Sequence, residues 1–246
     1  MNLTAIIGGS GLTDIKQLEN VRTEQALTPY GEPSADLVFG TLDGHEIVFL
    51  ARHGENHQIP PHKVNYRANI WALKEAGARN IIAVAAVGGI HDATSPTRIV
   101  IPDQIIDYTY GREQTYFPGD EHCVNHVDFT WPYCESLRQI VIDAASKANV
   151  DFIEKATYAA TQGPRLESAA EIKRLAQDGC DIVGMTGMPE TVLARELEVC
   201  YACIAIVANY AAGKSPGIIT MEDIGHNLSR GMQQMFSFLP AALQAL

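Results

Sequence analysis

Two runs, Asn80 to Val87 and Cys200 to Val207, are apolar at almost every position, so a strand built from either has no face suited to water. Strands of that kind belong at the centre of a sheet covered by helices on both sides. Shorter strand patterns at Leu3–Ile7, Glu46–Ala51, Arg98–Asp107 (interrupted by Pro102), Glu154–Thr161 and Asp181–Gly184 supply the rest of the sheet. Helix patterns alternate with them. Asn65 to Ala78 has apolar residues at Ile70, Leu73 and Ala76, with Gly77 as a stop. Ser136 to Ala148 and Pro189 to Glu198 are also helical. Ser168 and Glu171 have the spacing of a capping box. A last helix starts at Thr220-Met-Glu-Asp223 and is expected to bend at Pro240. No repeat, low-complexity tract or linker divides the chain, so one α/β domain over residues 1–246 is the simplest reading.

A formal net charge of −11 argues against a nucleic-acid surface and provides no basic patch for a membrane. No apolar run approaches the roughly 20 residues that span a bilayer, and the first residues read as a strand rather than a signal peptide. A cytoplasmic location is expected. The five cysteines, Cys123, Cys134, Cys180, Cys200 and Cys203, have no accompanying histidine rhythm of a zinc site. Buried free thiols are expected of them.

Candidate chemistry gathers where strands end. Gly8-Gly9-Ser10-Gly11 follows the first strand; it lacks the third glycine of a dinucleotide fingerprint, yet its amides and the Ser10 hydroxyl suit a phosphate. A tight turn needing positive φ explains the same residues equally well. Arg52-His53 closes the Glu46–Ala51 strand, where a guanidinium fork and an imidazole give donors for an oxyanion. Thr161-Gln-Gly-Pro-Arg-Leu-Glu-Ser168 and Val183-Gly-Met-Thr-Gly-Met-Pro-Glu190 are turns that open helices, and free amides at helix starts attract anions. Pro189 falls near a first helical position, with Glu190 favoured there by the dipole. Asn209 is a polar amide at the end of a very apolar strand, where ligands of α/β sheets collect. The loop Tyr108–Pro132 carries aromatic residues together with His122 and His126.

In this order, GGSGL, ARHG, HKVNYRANIWALKEAGARN, TQGPRLES, VGMTGMPE and the strand ending ANY resemble the trimeric purine nucleoside phosphorylase family. The similarity runs over almost the whole chain and is strongest to the methylthioadenosine phosphorylase branch. The resemblance implies an α/β domain around a mixed, partly barrel-like sheet, a homotrimer, and no metal or organic cofactor. It implies phosphorolysis, with phosphate as co-substrate. Ser10, Arg52, His53 and Thr186 match the family's phosphate-holding positions, with the backbone near Ala86 closing the site. Met185 matches the methionine under the ribose. Asn209 stands at the base-recognition position and is expected to act on the leaving purine. Leu166 replaces the aromatic residue that packs on the purine in most relatives, and Glu167 follows it. His126 aligns with a residue donated across the trimer to the neighbouring sugar pocket.

The chain departs from the methylthioadenosine branch at the base. That branch has aspartate where Asn209 stands and again two residues later, where this chain has Ala211. An amide donates to a purine O6 and accepts from N7–H; Glu167 accepts from N1–H, which 6-oxopurines have and adenine lacks. The sugar end keeps the branch's character, because Met221 and Ile224 occupy the turn where inosine phosphorylases present a histidine. Apolar groups there suit a 5′-methylthio substituent; packing of the last helix onto the core explains them as well. Together these features favour S-methyl-5′-thioinosine as substrate. Rival expectations are a general inosine/guanosine phosphorylase, a methylthioadenosine phosphorylase that tolerates Asn209, and a non-catalytic nucleoside-binding protein.

Overall fold

The computed structural model describes residues 3–119 and 124–246, so His122 and Cys123 lie outside the described residues. Among the described residues eleven strands join in one mixed sheet: β1 Leu3–Gly8, β2 Glu19–Glu24, β3 Leu37–Leu42, β4 His45–Ala51, β5 Ala78–Gly89, β6 Ile99–Val100, β7 Gln104–Asp107, β8 Phe152–Ile153, β9 Thr157–Ala160, β10 Ile182–Gly184 and β11 Cys200–Tyr210. The helices are α1 Tyr66–Glu75, α2 Glu135–Lys147, α3 Ala169–Gln177, α4 Gly187–Glu196 and α5 Met221–Gln244.

The two apolar runs are the spine. β11 pairs parallel with β5 from Cys200↔Asn80 to Tyr210↔Gly89 and occupies one edge of β5 along its length. The other edge takes β1 in parallel near its start and β10 antiparallel at Gly88–Gly89. The sheet therefore forks at the end of β5, one arm running β1-β4-β3-β2 and the other β10-β9-β7. Period-two alternation then divides the side chains between two cores. Ile7, Leu50, Ile81, Ala83, Ala85, Tyr201, Cys203 and Val207 meet α1 and α4 on one side. Ile6, Ile47, Phe49, Ile82, Val84, Ile204 and Ile206 meet α2 and α5 on the other. Each fully buried Ile or Leu contributes about 1.5–3 kcal/mol of burial free energy, so central strands with no polar face are stable only in this two-sided setting.

Local capping follows the sequence closely. The Asn65 side chain accepts from the Ala68 amide at the start of α1. Ser168 and Glu171 form the expected capping box on α3. Thr220 caps α5, which continues past Pro240 to Gln244. Pro102 separates β6 from β7, as its missing amide requires. Three strands, β2, β3 and β8, lie outside the strand patterns expected from the sequence. β2 is exposed at all six positions, so it has no hydrophobic alternation to reveal it, and it pairs as an edge strand with β3.

The cysteine expectation needs correction. Cys134 and Cys200 form a disulfide across 66 residues of sequence. The Cys134 amide donates to the Tyr201 carbonyl, which sets the start of α2 beside the start of β11 with Cα atoms 5.2 Å apart, inside the normal disulfide range. Cys180 and Cys203 are buried free thiols, as expected.

Candidate functional site

A cavity of about 1450 Å³ opens where β1, β4, β5, β10 and β11 end against the first turns of α5. Single-ligand sites measure roughly 300–1,000 Å³, so this one has room for two ligands side by side. Ser10, Arg52, His53, Ala86, Leu166, Glu167, Met185, Thr186, Asn209, Met221 and Ile224 all line it. His126 does not; it is exposed on the segment preceding α2.

The polar end of the cavity differs from the arrangement of free donors read from sequence. Arg52 is 1% exposed, and its fork is turned inward: Nε and Nη2 donate to Glu190 at 2.6 and 2.7 Å, and Nη1 donates to the Val84 carbonyl at 3.0 Å. Of the five guanidinium N–H groups, two remain for a ligand. Gly9 makes this possible, since a Cβ there would sit 2.8 Å from Nη1 and 2.7 Å from the Val84 carbonyl. Glu190 is fully buried and also accepts from the Tyr201 hydroxyl at 2.8 Å. From the sequence, Glu190 is expected only as a dipole-favoured residue of a helix start. Its partner lies 138 residues away in the chain, and nothing local announces the pair.

His53 also departs from expectation. Its Nδ1 lies 2.8 Å from the Ile59 carbonyl, an acceptor only, so Nδ1 carries the proton and Nε2 is an acceptor. Burial and the neighbouring Arg52 charge push its pKa down to about 4, against the opposing effect of the Ile59 bond. At neutral pH His53 thus gives its one N–H to Ile59 and offers a ligand only the acceptor Nε2. Because Arg52 is neutralised by Glu190 and His53 is uncharged, an oxyanion here is held mainly by dipoles and hydroxyls. Thr186 provides one: it stands at the N-cap of α4, yet its side chain makes no capping bond. The regular part of α4 begins at Pro189, because Met188 has extended backbone (φ −117°, ψ 139°). Ser10 Oγ lies 3.5 Å from His57 Nε2, which adds a second, exposed imidazole to this end.

The depressed pKa of His53 has a consequence for stability. Between about pH 4 and the usual histidine value near 6.5, the unfolded chain binds a proton that the folded chain refuses. Stability from this group is complete above pH 6.5 and is lost as pH falls towards 4. A His53→Gln variant should lose less of its melting temperature than wild type between pH 7 and pH 4.5, measured by thermal unfolding in matched buffers. Equal pH slopes for the two proteins would refute the assignment.

At the other end, two side chains are held in set orientations. Asn209 Nδ2 donates to the Tyr210 carbonyl at 2.8 Å, leaving its second N–H and Oδ1 uncommitted. The Thr161 hydroxyl lies 2.7 Å from Glu167 Oε1 and donates to it, leaving Oε2 as the free acceptor. Sequence reading named Glu167 but not Thr161. Thr161→Val should lower kcat/KM for a 6-oxopurine nucleoside by about tenfold, the scale of one hydrogen bond to a charged group, while Thr161→Ser stays within about threefold of wild type. Steady-state kinetics on both variants decide this; a silent Thr161→Val rules the contact unimportant. Met221 is 78% exposed at the rim, so it does not pack α5 onto the core, whereas Ile224 does pack partly against it. Among the described residues no three His, Cys, Asp or Glu side chains converge as a metal site.

The cavity at the strand ends has room for two ligands, with hydroxyls and the Arg52–Glu190 pair at one end and an oriented amide and carboxylate at the other. The chain belongs to the phosphorylase superfamily, whose family model matches residues 4–244. A probable S-methyl-5′-thioinosine phosphorylase from Pseudomonas syringae pv. tomato is 53% identical over 248 residues, covering 100% of both chains. The 6-oxopurine nucleoside phosphorylase of Pyrococcus furiosus is 46% identical, covering 97% of this chain and 91% of its own. Among solved structures, methylthioadenosine phosphorylase from Schistosoma mansoni in complex with adenine superposes with a TM-score of 0.95 at 33% identity, covering 100% of this chain and 92% of that one.

Proposed function

We propose that this chain catalyses phosphorolysis of S-methyl-5′-thioinosine to hypoxanthine and 5-methylthioribose 1-phosphate, a purine-salvage reaction. One observation carries the choice of base. Asn209 and Glu167 face one cavity, each oriented by a protein hydrogen bond, with one amide N–H, one amide oxygen and one carboxylate oxygen uncommitted. That set matches O6 and N1–H of a 6-oxopurine nucleoside, and N7–H of the base once it has left and been protonated. For adenine it leaves the carboxylate facing an unprotonated N1, a mismatch that is costly in a desolvated site.

In the reaction the C1′–N9 bond breaks and a phosphate oxygen bonds to C1′. Positive charge grows on the sugar and negative charge on the departing purine. Phosphate, held by Ser10, Thr186, the free N–H groups of Arg52 and the backbone at Ala86, stabilises the first and is the nucleophile. His53 Nε2 accepts the proton of a phosphate hydroxyl and so orients the attacking anion. Asn209 stabilises the departing purine anion by donating to O6; N7 has no proton in the nucleoside, so Oδ1 accepts from N7–H only once the released base has taken a proton from solvent. Leu166 packs on the base in place of an aromatic ring, and Met185 forms the floor under the ribose. Met221 and Ile224 receive the methylthio group. These steps draw on no metal or organic cofactor. The chain is taken as one catalytic domain, working in the cytoplasm as a homotrimer in which His126 reaches a neighbour's sugar pocket. No helix among the described residues is long and apolar enough to cross a membrane.

Base release should be followed in parallel from S-methyl-5′-thioinosine, methylthioadenosine and inosine. The expected result is the highest kcat/KM on the first. Preference for methylthioadenosine refutes the reading of Asn209 and Glu167; preference for inosine refutes that of Met221 and Ile224. Binding of all three without turnover makes the chain a nucleoside-binding protein.

A further inference from the structure

Arg112 lies in the irregular segment between β7 and α2, is half-buried, and holds two loops that are distant in sequence. Nη1 donates to the carbonyls of Met185 at 2.9 Å and Met188 at 2.6 Å. Nη2 donates to the carbonyls of Thr161 at 3.2 Å and Gln162 at 2.8 Å, and Nε donates to the Gln162 side chain at 3.1 Å. The guanidinium carbon sits 5.5 Å from the centre of the Tyr66 ring. Nη1 also lies 3.3 Å from the Tyr66 hydroxyl; every N–H of the group has an acceptor, and all the others belong to two short segments.

Those segments are the two halves of the site. Residues 161–162 begin the turn that delivers Glu167, whereas Met185 and Met188 flank Thr186. β9 and β10 run side by side only as far as Ala160 and Gly184, and the Thr161 amide makes one further bond to the Gly184 carbonyl. Past that point Arg112 bridges the diverging turns. Hydrogen bonds from a charged donor are worth more than neutral ones, so each of these carbonyls is held more firmly than by a neutral donor. The two turns are therefore ordered together. A ligand that fixes one removes part of the ordering cost for a ligand at the other.

We propose that Arg112 is a positioning residue that couples oxyanion binding at the Thr186 turn to nucleoside binding at the Glu167 turn. The inference rests on the assignment of those turns made under the proposed function. A purely structural staple would alter stability and leave the two affinities independent.

The test measures the dissociation constant of S-methyl-5′-thioinosine by calorimetry, without and with saturating sulfate as an unreactive stand-in for phosphate. In wild type, sulfate should tighten the nucleoside at least about fivefold, the lower end of typical coupling between sites. In Arg112→Gln the ratio should fall to within twofold of one while the protein still melts cooperatively. Should the glutamine variant not fold, Arg112→Lys serves, because an ammonium keeps the charge but cannot span both carbonyl pairs. A folded variant that keeps the wild-type ratio overturns the proposal, as does a wild type with no coupling. Absence of nucleoside binding to wild type removes the functional reading, and the coupling with it. Nucleoside binding that is insensitive to sulfate removes the coupling alone.

Discussion

Replacing Asn209 with aspartate is expected to cut kcat/KM for S-methyl-5′-thioinosine by about 10²–10³-fold, the scale seen when one transition-state hydrogen-bond donor is lost. The reason is local. The wild-type amide spends one N–H on the Tyr210 carbonyl and has one left, together with Oδ1. A carboxylate has no N–H for O6, loses the bond to Tyr210 and sets a negative charge beside a purine that becomes negative in the transition state. The loss should fall mainly on kcat, because it concerns charge that develops during bond cleavage. Against methylthioadenosine the same change should be neutral or favourable, since a carboxylate accepts from the exocyclic amine. Steady-state kinetics on both substrates check this. Little change on either would support a methylthioadenosine phosphorylase that tolerates asparagine.

The second large effect belongs to Glu190. Removing it leaves the Arg52 guanidinium buried with two of its three protein contacts gone, and breaking one side of a buried ion pair costs about 3–5 kcal/mol. For a chain of this size that corresponds to a melting temperature lower by about 10 °C. Glu190→Gln preserves shape and an acceptor for the Tyr201 hydroxyl, so the loss it produces isolates charge rather than volume. Phosphate then becomes the counter-charge that Arg52 lacks. Adding phosphate should raise the melting temperature of Glu190→Gln by more degrees than it raises that of wild type. A glutamine variant within about 2 °C of wild type, with the same phosphate response, would contradict the role given to the pair.

Much of this site is legible in the sequence because it is built from strand ends and turns. Gly9-Ser10, Arg52-His53, Thr186 and Asn209 each follow an apolar run; parallel pairing of β1, β4, β5 and β11 brings three of these ends to one edge, and β10, antiparallel to the end of β5, adds Thr186. The capping box at Ser168 and the helix start at Pro189 are local signals that appear in the structure as read. What stayed hidden depends on contacts between distant segments. Arg52 looks like a free fork until Glu190 is found beneath it. His53 looks like a donor until Ile59 takes its proton-bearing nitrogen. Arg112 sits in a segment with no periodicity, so only the fold reveals that its carbonyl partners come from both turns. The disulfide joins cysteines 66 residues apart whose spacing carries no recognisable pattern. β2 escaped because it is exposed on both faces, with Val21 its one apolar residue, the reverse of the two runs that organise the sheet.

Attack of phosphate on the sugar of a 6-oxopurine methylthionucleoside can be watched by incubating S-methyl-5′-thioinosine with phosphate, following the phosphate by phosphorus NMR and measuring hypoxanthine in the same sample. One phosphate should be consumed for each hypoxanthine released, a new sugar 1-phosphate resonance should grow in step, and nothing should be released when phosphate is omitted. Hypoxanthine that forms without phosphate, or phosphate that stays unchanged while base appears, would contradict it.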